Sequence, residues 1–597
     1  MEHSLGGHYG RGLNRFGSDL YCRAMRLTNK ADPHPLSFRA VKPPKPQPTL
    51  AGVHHSLPVL ALMAAWRPIP LLASIAARRP ILVMAAAAAL SVVTLPTMAV
   101  AQGATVQPRA DGVASSAAAS ADANTIDNRE AATPRLSPCQ LEHPQRLTVV
   151  AAECGELTVP ENSAQPNGRQ LHLAFARVPA ISRRKHPDPL FVLAGGPGMA
   201  ATTFYATVAP VFGRIHRDRD IILLDQRGTG GSNPLNCPGG DETDYRATDN
   251  DIAAEARSCL EKLSAKADVA QYTTSVAVND LERLRQVLGY EHINMYGVSY
   301  GTRVAQQYLR RFPDHTRALI LDGVVPPELT LGAGMALDAE HALDRILARC
   351  ALETDCRNRF GDPTQDYHDL WQSLQAHSVP VIVANPTTGE STHFEFTRFH
   401  LATVLRLSIY STEQTALLPL LLHEAHESKD YSRLASQFLL LTHAYTDAVA
   451  VGMNNTVACT EDIAFYDAKT TDRSKLENTF LGTAQLDGLL AICKIWPRGP
   501  IDADFHAPVH SAVPVLLLSG SDDPITPPAY ADQARRGLTD SLHIVLKDFG
   551  HGQLAAPCMD RVMEQFINRA SVKGLDTSCT RNDQPMPFFI SLNGPPP

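Results

Sequence analysis

The chain has 597 residues, a formal charge of −7, 19% charged residues and 44% hydrophobic residues. This composition is globular, and the length suffices for more than one domain. The basic excess that nucleic-acid binding requires is missing, so nucleic acid is excluded as an expected partner.

Residues 1–62 are rich in His, Pro and Gly, as in "VKPPKPQPTL", and carry no sustained periodicity. They read as an unstructured N-terminal extension, untranslated if synthesis begins at Met63. From Met63 the chain holds Arg67, Arg78 and Arg79 and no acid, then an Ala-rich apolar run ending in Ala99-Val100-Ala101 before Gln102. Residues 63–101 therefore read as a signal peptide with an A-x-A cleavage site, and "ARRPILV" faintly resembles a twin-arginine signal. A membrane anchor is the alternative, since Ile81 to Ala101 is long enough to span. The many alanines make that run weakly hydrophobic, and the small residues at its end favour cleavage. The expected protein is exported, periplasmic or secreted, with no stable membrane association after cleavage.

Residues 102–135 are low-complexity Ala/Ser and read as a flexible linker. From about 145 the texture changes. "RLTVVAAECGELTVP" and "QLHLAFARV" alternate like strands. "DPLFVLAGGPG" and "RDIILLDQRG" are continuous apolar runs ending in glycine, as buried parallel strands do. "VNDLERLRQVLGY" is amphipathic, with Leu281, Leu284 and Leu288 on one face, and the runs "HINMYG" and "TRALILDGVVPP" follow. This alternation predicts a doubly wound, mostly parallel α/β sheet over residues 136–330. Residues 331–505 break the rhythm with helical stretches such as "LDAEHALDRILARC" and "LLPLLLHEAH", and read as an inserted helical cap. Residues 506–597 return to strands with "VPVLLLSGSDDP" and "LHIVLKDFGHG", completing the core.

Of eleven cysteines, only Cys22 precedes the signal. The other ten fall as near neighbours: Cys139/Cys154, Cys237/Cys259, Cys350/Cys356, Cys459/Cys493 and Cys558/Cys579. An even count in an exported chain argues for disulfides, with nearest-neighbour pairing as the simplest guess. No zinc-ribbon spacing and no H-E-x-x-H occurs, so neither a metal nor another cofactor is expected.

The motif that carries chemistry is Gly297-Val298-Ser299-Tyr300-Gly301. A serine between glycines, after the apolar run "HINMYG" and before the amphipathic "GTRVAQQYLRRF", has the context of a nucleophile on a strand-to-helix elbow. Its partners are expected on later strand ends. "LLLSGSDDP" offers Asp522 and Asp523, of which Asp523 is preferred because Pro524 stiffens its turn. "DFGHG" offers His551. The order Ser299, Asp523, His551 is that of a hydrolase triad, in which imidazole takes the serine proton and the carboxylate fixes its tautomer. The oxyanion donors are expected from the backbone of Tyr300 and of "AGGPG", most naturally Gly196. That loop lacks the G-K-[ST] of a phosphate cradle.

"GGPG" at 195–198, "DQRGTGGS" at 225–232, "GVSYGT" at 297–302, "SDDPITPP" at 521–528 and "GHG" at 550–552 together resemble the proline iminopeptidase and tripeptidyl aminopeptidase family of α/β-hydrolases. "ECGELTVP" at 153–160, "VACTEDIAFYD" at 457–467 and the closing cysteines Cys558 and Cys579 are similar to its secreted Streptomyces branch. Ala194 departs from the family, where histidine often precedes "GGPG". The resemblance covers roughly residues 136 to 580. It implies Ser299, Asp523 and His551 as the triad, Gly196 and Tyr300 as oxyanion donors, and peptides with a free N-terminus as substrates. A carboxylesterase or other small-molecule hydrolase is the alternative, and a secreted binding protein on a dead hydrolase fold is a third. An aminopeptidase needs a carboxylate for the substrate ammonium. Glu461 in the cap, with Asp462 as second choice, is the expected ligand.

Overall fold

In a computed structural model the described residues are 134–237, 249–332 and 334–595. The extension 1–62, the signal 63–101, Cys22 and all but the end of the linker 102–135 lie outside them. Among the described residues no helix is long and apolar enough to cross a membrane.

The described residues form eleven strands in chain order: β1 Ser137–Glu142, β2 Val149–Pro160, β3 Gln170–Val178, β4 Leu190–Leu193, β5 Ile221–Leu224, β6 Ile293–Val298, β7 Thr316–Asp322, β8 Val379–Ala384, β9 Ser391–Phe396, β10 Val515–Gly520 and β11 Ser541–Leu546. Nine form one sheet in the order β1-β2-β3-β5-β4-β6-β7-β10-β11. β1, β2 and β3 join antiparallel at one edge, β3 pairs antiparallel with β5, and every pair from β5 to β11 is parallel. The central strands are the continuous apolar runs, and every residue of β4, β5 and β10 is buried. Both faces of such strands are covered, as a parallel sheet demands.

Side-chain alternation splits the core in two. Phe191, Leu193, Met295, Leu319 and Leu517 face one way, against Val278, Leu281 and Leu284 of helix Thr274–Val287 and Val304 and Tyr308 of helix Tyr300–Arg311. Leu190, Val192, Tyr296, Ile320 and Leu516 face the other way, against Tyr205 and against Val562, Met563 and Phe566 of helix Met559–Arg569. The fold is therefore the expected doubly wound α/β sheet.

The insertion differs from the expectation in two respects. Residues 379–396 form the antiparallel hairpin β8–β9 rather than helix. "VPVIVA" and "STHFEF" alternate, and "NPTTGE" between them supplies the turn residues. Second, residues 331–505 do not share one core. Helices Met335–Leu352, Pro363–Ala376, Arg398–Ser408, Thr412–Ser428 and Ser432–Ala448 bury Leu343, Leu370, Leu401, Leu420 and Phe438 together in a lobe of their own. Ala450, Met453, Val457, Ile463, Leu486 and Trp496 instead pack into the same core as β3 to β7. The chain after about 449 thus belongs with the sheet.

Five disulfides join Cys139–Cys154, Cys237–Cys259, Cys350–Cys356, Cys459–Cys493 and Cys558–Cys579, each cysteine to its neighbour in sequence.

Candidate active site

β6 ends at Val298, helix Tyr300–Arg311 begins one residue later, and Ser299 alone makes the turn. Its backbone sits at φ 55°, ψ −122°, a region that non-glycine residues occupy only when the surroundings force it. Those surroundings are backbone. A Cβ on Gly297 would lie 2.4 Å from the Gly301 carbonyl oxygen, and one on Gly301 would lie 2.5 Å from that of Leu193. The two glycines let the elbow close on itself and on β4. The Ser299 N–H donates to the Asp322 carbonyl at 2.8 Å, which fixes the turn to the end of β7.

His551 and Asp523 sit on the loops after β11 and β10. His551 Nδ1 lies 2.8 Å from Asp523 Oδ2. Asp523 is fully buried, and its Oδ1 accepts from the backbone N–H of Ile525 and of Thr526 at 2.9 and 2.8 Å. The Thr526 hydroxyl donates to Asp523 Oδ2 at 2.8 Å. Burial alone would raise the Asp523 carboxyl, but His551 and these donors outweigh it and hold the group below its ordinary value. Burial would lower the His551 imidazole. Asp523 outweighs that too, and His551 is raised. With Nδ1 committed to Asp523, Nε2 is the nitrogen left for substrate chemistry. A Cβ on Gly323 would lie 2.9 Å from His551 Cε1, so the imidazole rests on the residue after Asp322, the same strand end that holds Ser299.

Asp322 is a participant that the motifs do not announce. Its carboxylate accepts the Gln553 N–H through both oxygens, at 2.9 and 2.8 Å, and the Tyr296 hydroxyl at 2.8 Å. Burial pushes it up to about 6. It ties the loop that carries His551 to β6 and β7. Tyr410 of the cap lobe is another. Its carbonyl accepts the His551 N–H at 2.7 Å, and its ring meets the imidazole edge-on with centroids 5.5 Å apart.

The glycine loop after β4 lies against the serine, since a Cβ on Gly195 would be 3.2 Å from Ser299 Cβ. Gly196 follows at φ 109°, and Tyr300 opens the helix with an N–H that has no preceding turn to bond. The returning chain braces this loop. The Ala450 N–H donates to the Gly198 carbonyl at 3.0 Å, and Asn454 Nδ2 donates to the Pro197 carbonyl at 3.0 Å. "DQRGTGGS" serves the same scaffold. Asp225 accepts from Thr202 and Gly231, Arg227 pairs with Asp280, and Gln226 Nε2 donates to the Tyr300 hydroxyl at 2.9 Å.

Glu461 and Asp462 depart from the ammonium ligand expected of them. Both are buried, Glu461 at 0% exposure. Glu461 Oε1 accepts the Thr274 N–H at 2.7 Å, and Oε2 accepts the Thr274 hydroxyl at 2.9 Å. Asp462 Oδ1 and Oδ2 take the Arg303 guanidinium at 2.8 and 3.2 Å, and Oδ1 also accepts the Leu331 N–H. Both carboxylates are turned to partners inside the protein and shut from solvent, so neither is presented to an incoming cation in this structure. Thr274 also bonds the Tyr300 hydroxyl at 2.6 Å, so the pair buttresses the residue next to Ser299 from below. Among the described residues no group of three or more His, Cys, Asp or Glu is arranged to hold a metal ion.

Residues 188–357 match the alpha/beta hydrolase fold profile, and residues 478–579 match the profile described as TAP-like protein. The chain is 26% identical to serine protease Hip1 of Mycobacterium tuberculosis (strain ATCC 25618 / H37Rv), over 66% of this chain and 80% of that one. It is 24% identical to the tripeptidyl aminopeptidase of Streptomyces coelicolor, over 73% of this chain and 84% of that one. It is 26% identical to carboxylesterase B of Mycobacterium tuberculosis (strain CDC 1551 / Oshkosh), over 63% and 76% respectively. With its sheet order, its elbow and these two profiles, the chain has the α/β-hydrolase fold and carries a TAP-like segment toward its C-terminus.

Proposed function

We propose that the protein is an exported serine aminopeptidase that works through a Ser299–His551–Asp523 triad. The observation that carries this reading is the Asp523–His551 bond, held at the ends of β10 and β11 beside the β7 end that also anchors Ser299. The Ser299 hydroxyl attacks the scissile carbonyl and passes its proton to His551 Nε2. The backbone N–H groups of Gly196 and Tyr300 receive the developing oxyanion. His551 then delivers the proton to the leaving amine, and water hydrolyses the acyl-enzyme by the reverse path. Asp523 holds the imidazole tautomer and stabilises the imidazolium. The relatives named serine protease and tripeptidyl aminopeptidase support peptides as substrates, and the five disulfides suit an oxidising compartment.

Ester and amide hydrolysis share this machinery, and one relative is named a carboxylesterase. The deciding experiment is a panel of aminoacyl- and tripeptidyl-p-nitroanilides beside p-nitrophenyl esters, with free and blocked N-termini and with Ser299→Ala as blank. The proposal expects release from free-amine substrates and strong loss on blocking. Equal cleavage of blocked and free substrates, or cleavage of esters alone, would overturn it.

A further inference from the structure

Among the described residues four arginines are buried, and each has a carboxylate against it. Arg219 lies 2.9 Å from Asp188, Arg227 2.6 Å from Asp280, Arg285 2.6 Å from Glu282 and Arg303 2.8 Å from Asp462. This is what desolvation of a guanidinium demands.

Arg406 differs from these four in lacking a carboxylate partner. It is half-buried near the end of helix Arg398–Ser408 in the cap lobe. Its guanidinium donates to the neutral side-chain oxygen of Gln485 and lies beside the hydroxyls of Tyr410 and Tyr445. Among the described residues no carboxylate comes within salt-bridge distance of it. Gln485 in turn touches Met335 at the start of the first cap helix, so Arg406 lies where the lobe meets the returning chain. Its neighbour Tyr410 bonds the His551 backbone and packs edge-on against the imidazole. One side chain therefore links the unpaired cation to the catalytic base.

We propose that Arg406 is a substrate-binding residue that pairs with a carboxylate on the leaving fragment of the substrate. This inference rests on the serine hydrolase reading of Ser299 and His551. The imidazole donates its proton to the leaving group, so the wall behind His551 faces the fragment that departs. The missing partner of Arg406 is then supplied when substrate binds. Two sources offer that chemistry: the α-carboxylate of a short peptide, or an acidic side chain just beyond the cleaved bond. A planar guanidinium suits either, through paired charge-assisted hydrogen bonds.

The test compares kcat/KM for three peptides of one sequence: the free acid Ala-Ala-Pro-Ala, its C-terminal amide, and the amide in which aspartate replaces the last alanine. The wild type is expected to prefer a carboxylate-bearing peptide over the neutral amide by about 10- to 100-fold, the span of a charge-assisted hydrogen bond. Preference for the free acid alone assigns the α-carboxylate, and preference for both assigns either source. In Arg406→Gln the ratio should collapse towards one, and in Arg406→Lys part of it should remain. Thermal melting of both variants checks that they fold. A parallel pair, 4-butyryloxybenzoate against 4-butyryloxybenzamide, carries the carboxylate or its neutral counterpart on the departing phenol and reads the same preference if the enzyme proves to be an esterase, so failure of the peptidase reading is distinguishable from failure of this one. A wild-type ratio near one in both substrate sets overturns the proposal. So does a preference that survives intact in Arg406→Gln.

Discussion

Two pairs of adjacent acids, Asp522-Asp523 and Glu461-Asp462, look alike in the sequence and are all four buried. They do four different things. Asp523 takes His551, Asp462 neutralises a buried guanidinium, Glu461 accepts two bonds from one threonine, and Asp522 meets the half-exposed Arg345 at 3.1 Å while its Oδ2 has no partner. Burial alone therefore says nothing about role. The partner decides it, and each partner predicts a different kind of damage when the acid is neutralised.

The largest effect is expected at Asp523. Asp523→Asn should lower kcat by about 10,000-fold with little change in melting temperature, because the imidazole loses the partner that sets its tautomer. The pH profile of the wild type sharpens the point. In the proposed triad neutral His551 is the base, and its value is raised, so the acidic limb of kcat/KM should lie above the 6.5 of an ordinary histidine. A limb at or below that value in the wild type would contradict the Asp523–His551 coupling.

At Asp462 the damage should move from catalysis to folding. Asp462→Ala leaves Arg303 buried with the Leu329 carbonyl and, as its one remaining carboxylate among the described residues, the more distant Glu461 at 3.6 Å, and about 3–5 kcal/mol of stability should be lost in denaturant unfolding. Unchanged stability would mean that Arg303 finds another partner.

Glu461 should show itself chiefly through pH. Burial, only partly offset by Arg303, pushes its carboxyl from 4.5 up to about 7. The folded chain thus favours the protonated form. That contribution is fully present below the ordinary carboxyl value and is lost as pH rises through 7. The wild-type melting temperature should fall between pH 5 and 8 by an increment that Glu461→Gln lacks. Parallel curves for the two proteins would show that the carboxyl does not titrate there.

Asp522→Asn should do least. Its exposed partner limits the ion pair to under about 1 kcal/mol, and kcat should stay within about twofold of wild type. A triad-sized loss here would exchange the roles of the two aspartates.

The core was legible because its signals are local. Apolar runs ending in glycine mark β4, β5 and β10, and each candidate triad residue stands within a few positions of a strand end. The hairpin β8–β9 is equally local, but its short alternation stands inside a segment dominated by helical periodicity. Glu461 and Asp462 were not legible. Thr274 and Arg303, which consume them, lie 187 and 159 residues away in the chain, and no short pattern carries such a pairing. Asp322 was hidden for the same reason, since Gln553 is 231 residues distant. Arg406 is defined by the lack of an acid partner, which no sequence displays.

The glycines at the strand ends set a limit of another kind. A Cβ on Gly520 would lie 2.2 Å from the carbonyl oxygens of Phe549 and Gly550, a conflict as severe as those at Gly297 and Gly301. Main chain cannot step aside as a side chain can, so alanine at any of these positions separates the loops that bear the reacting groups. In a survey of all single substitutions, two populations should then emerge. Changes at Ser299, Asp523 or His551 would leave normal amounts of inert protein. Changes at Gly297, Gly301 or Gly520 would reduce the amount of protein recovered, whatever activity each surviving molecule keeps.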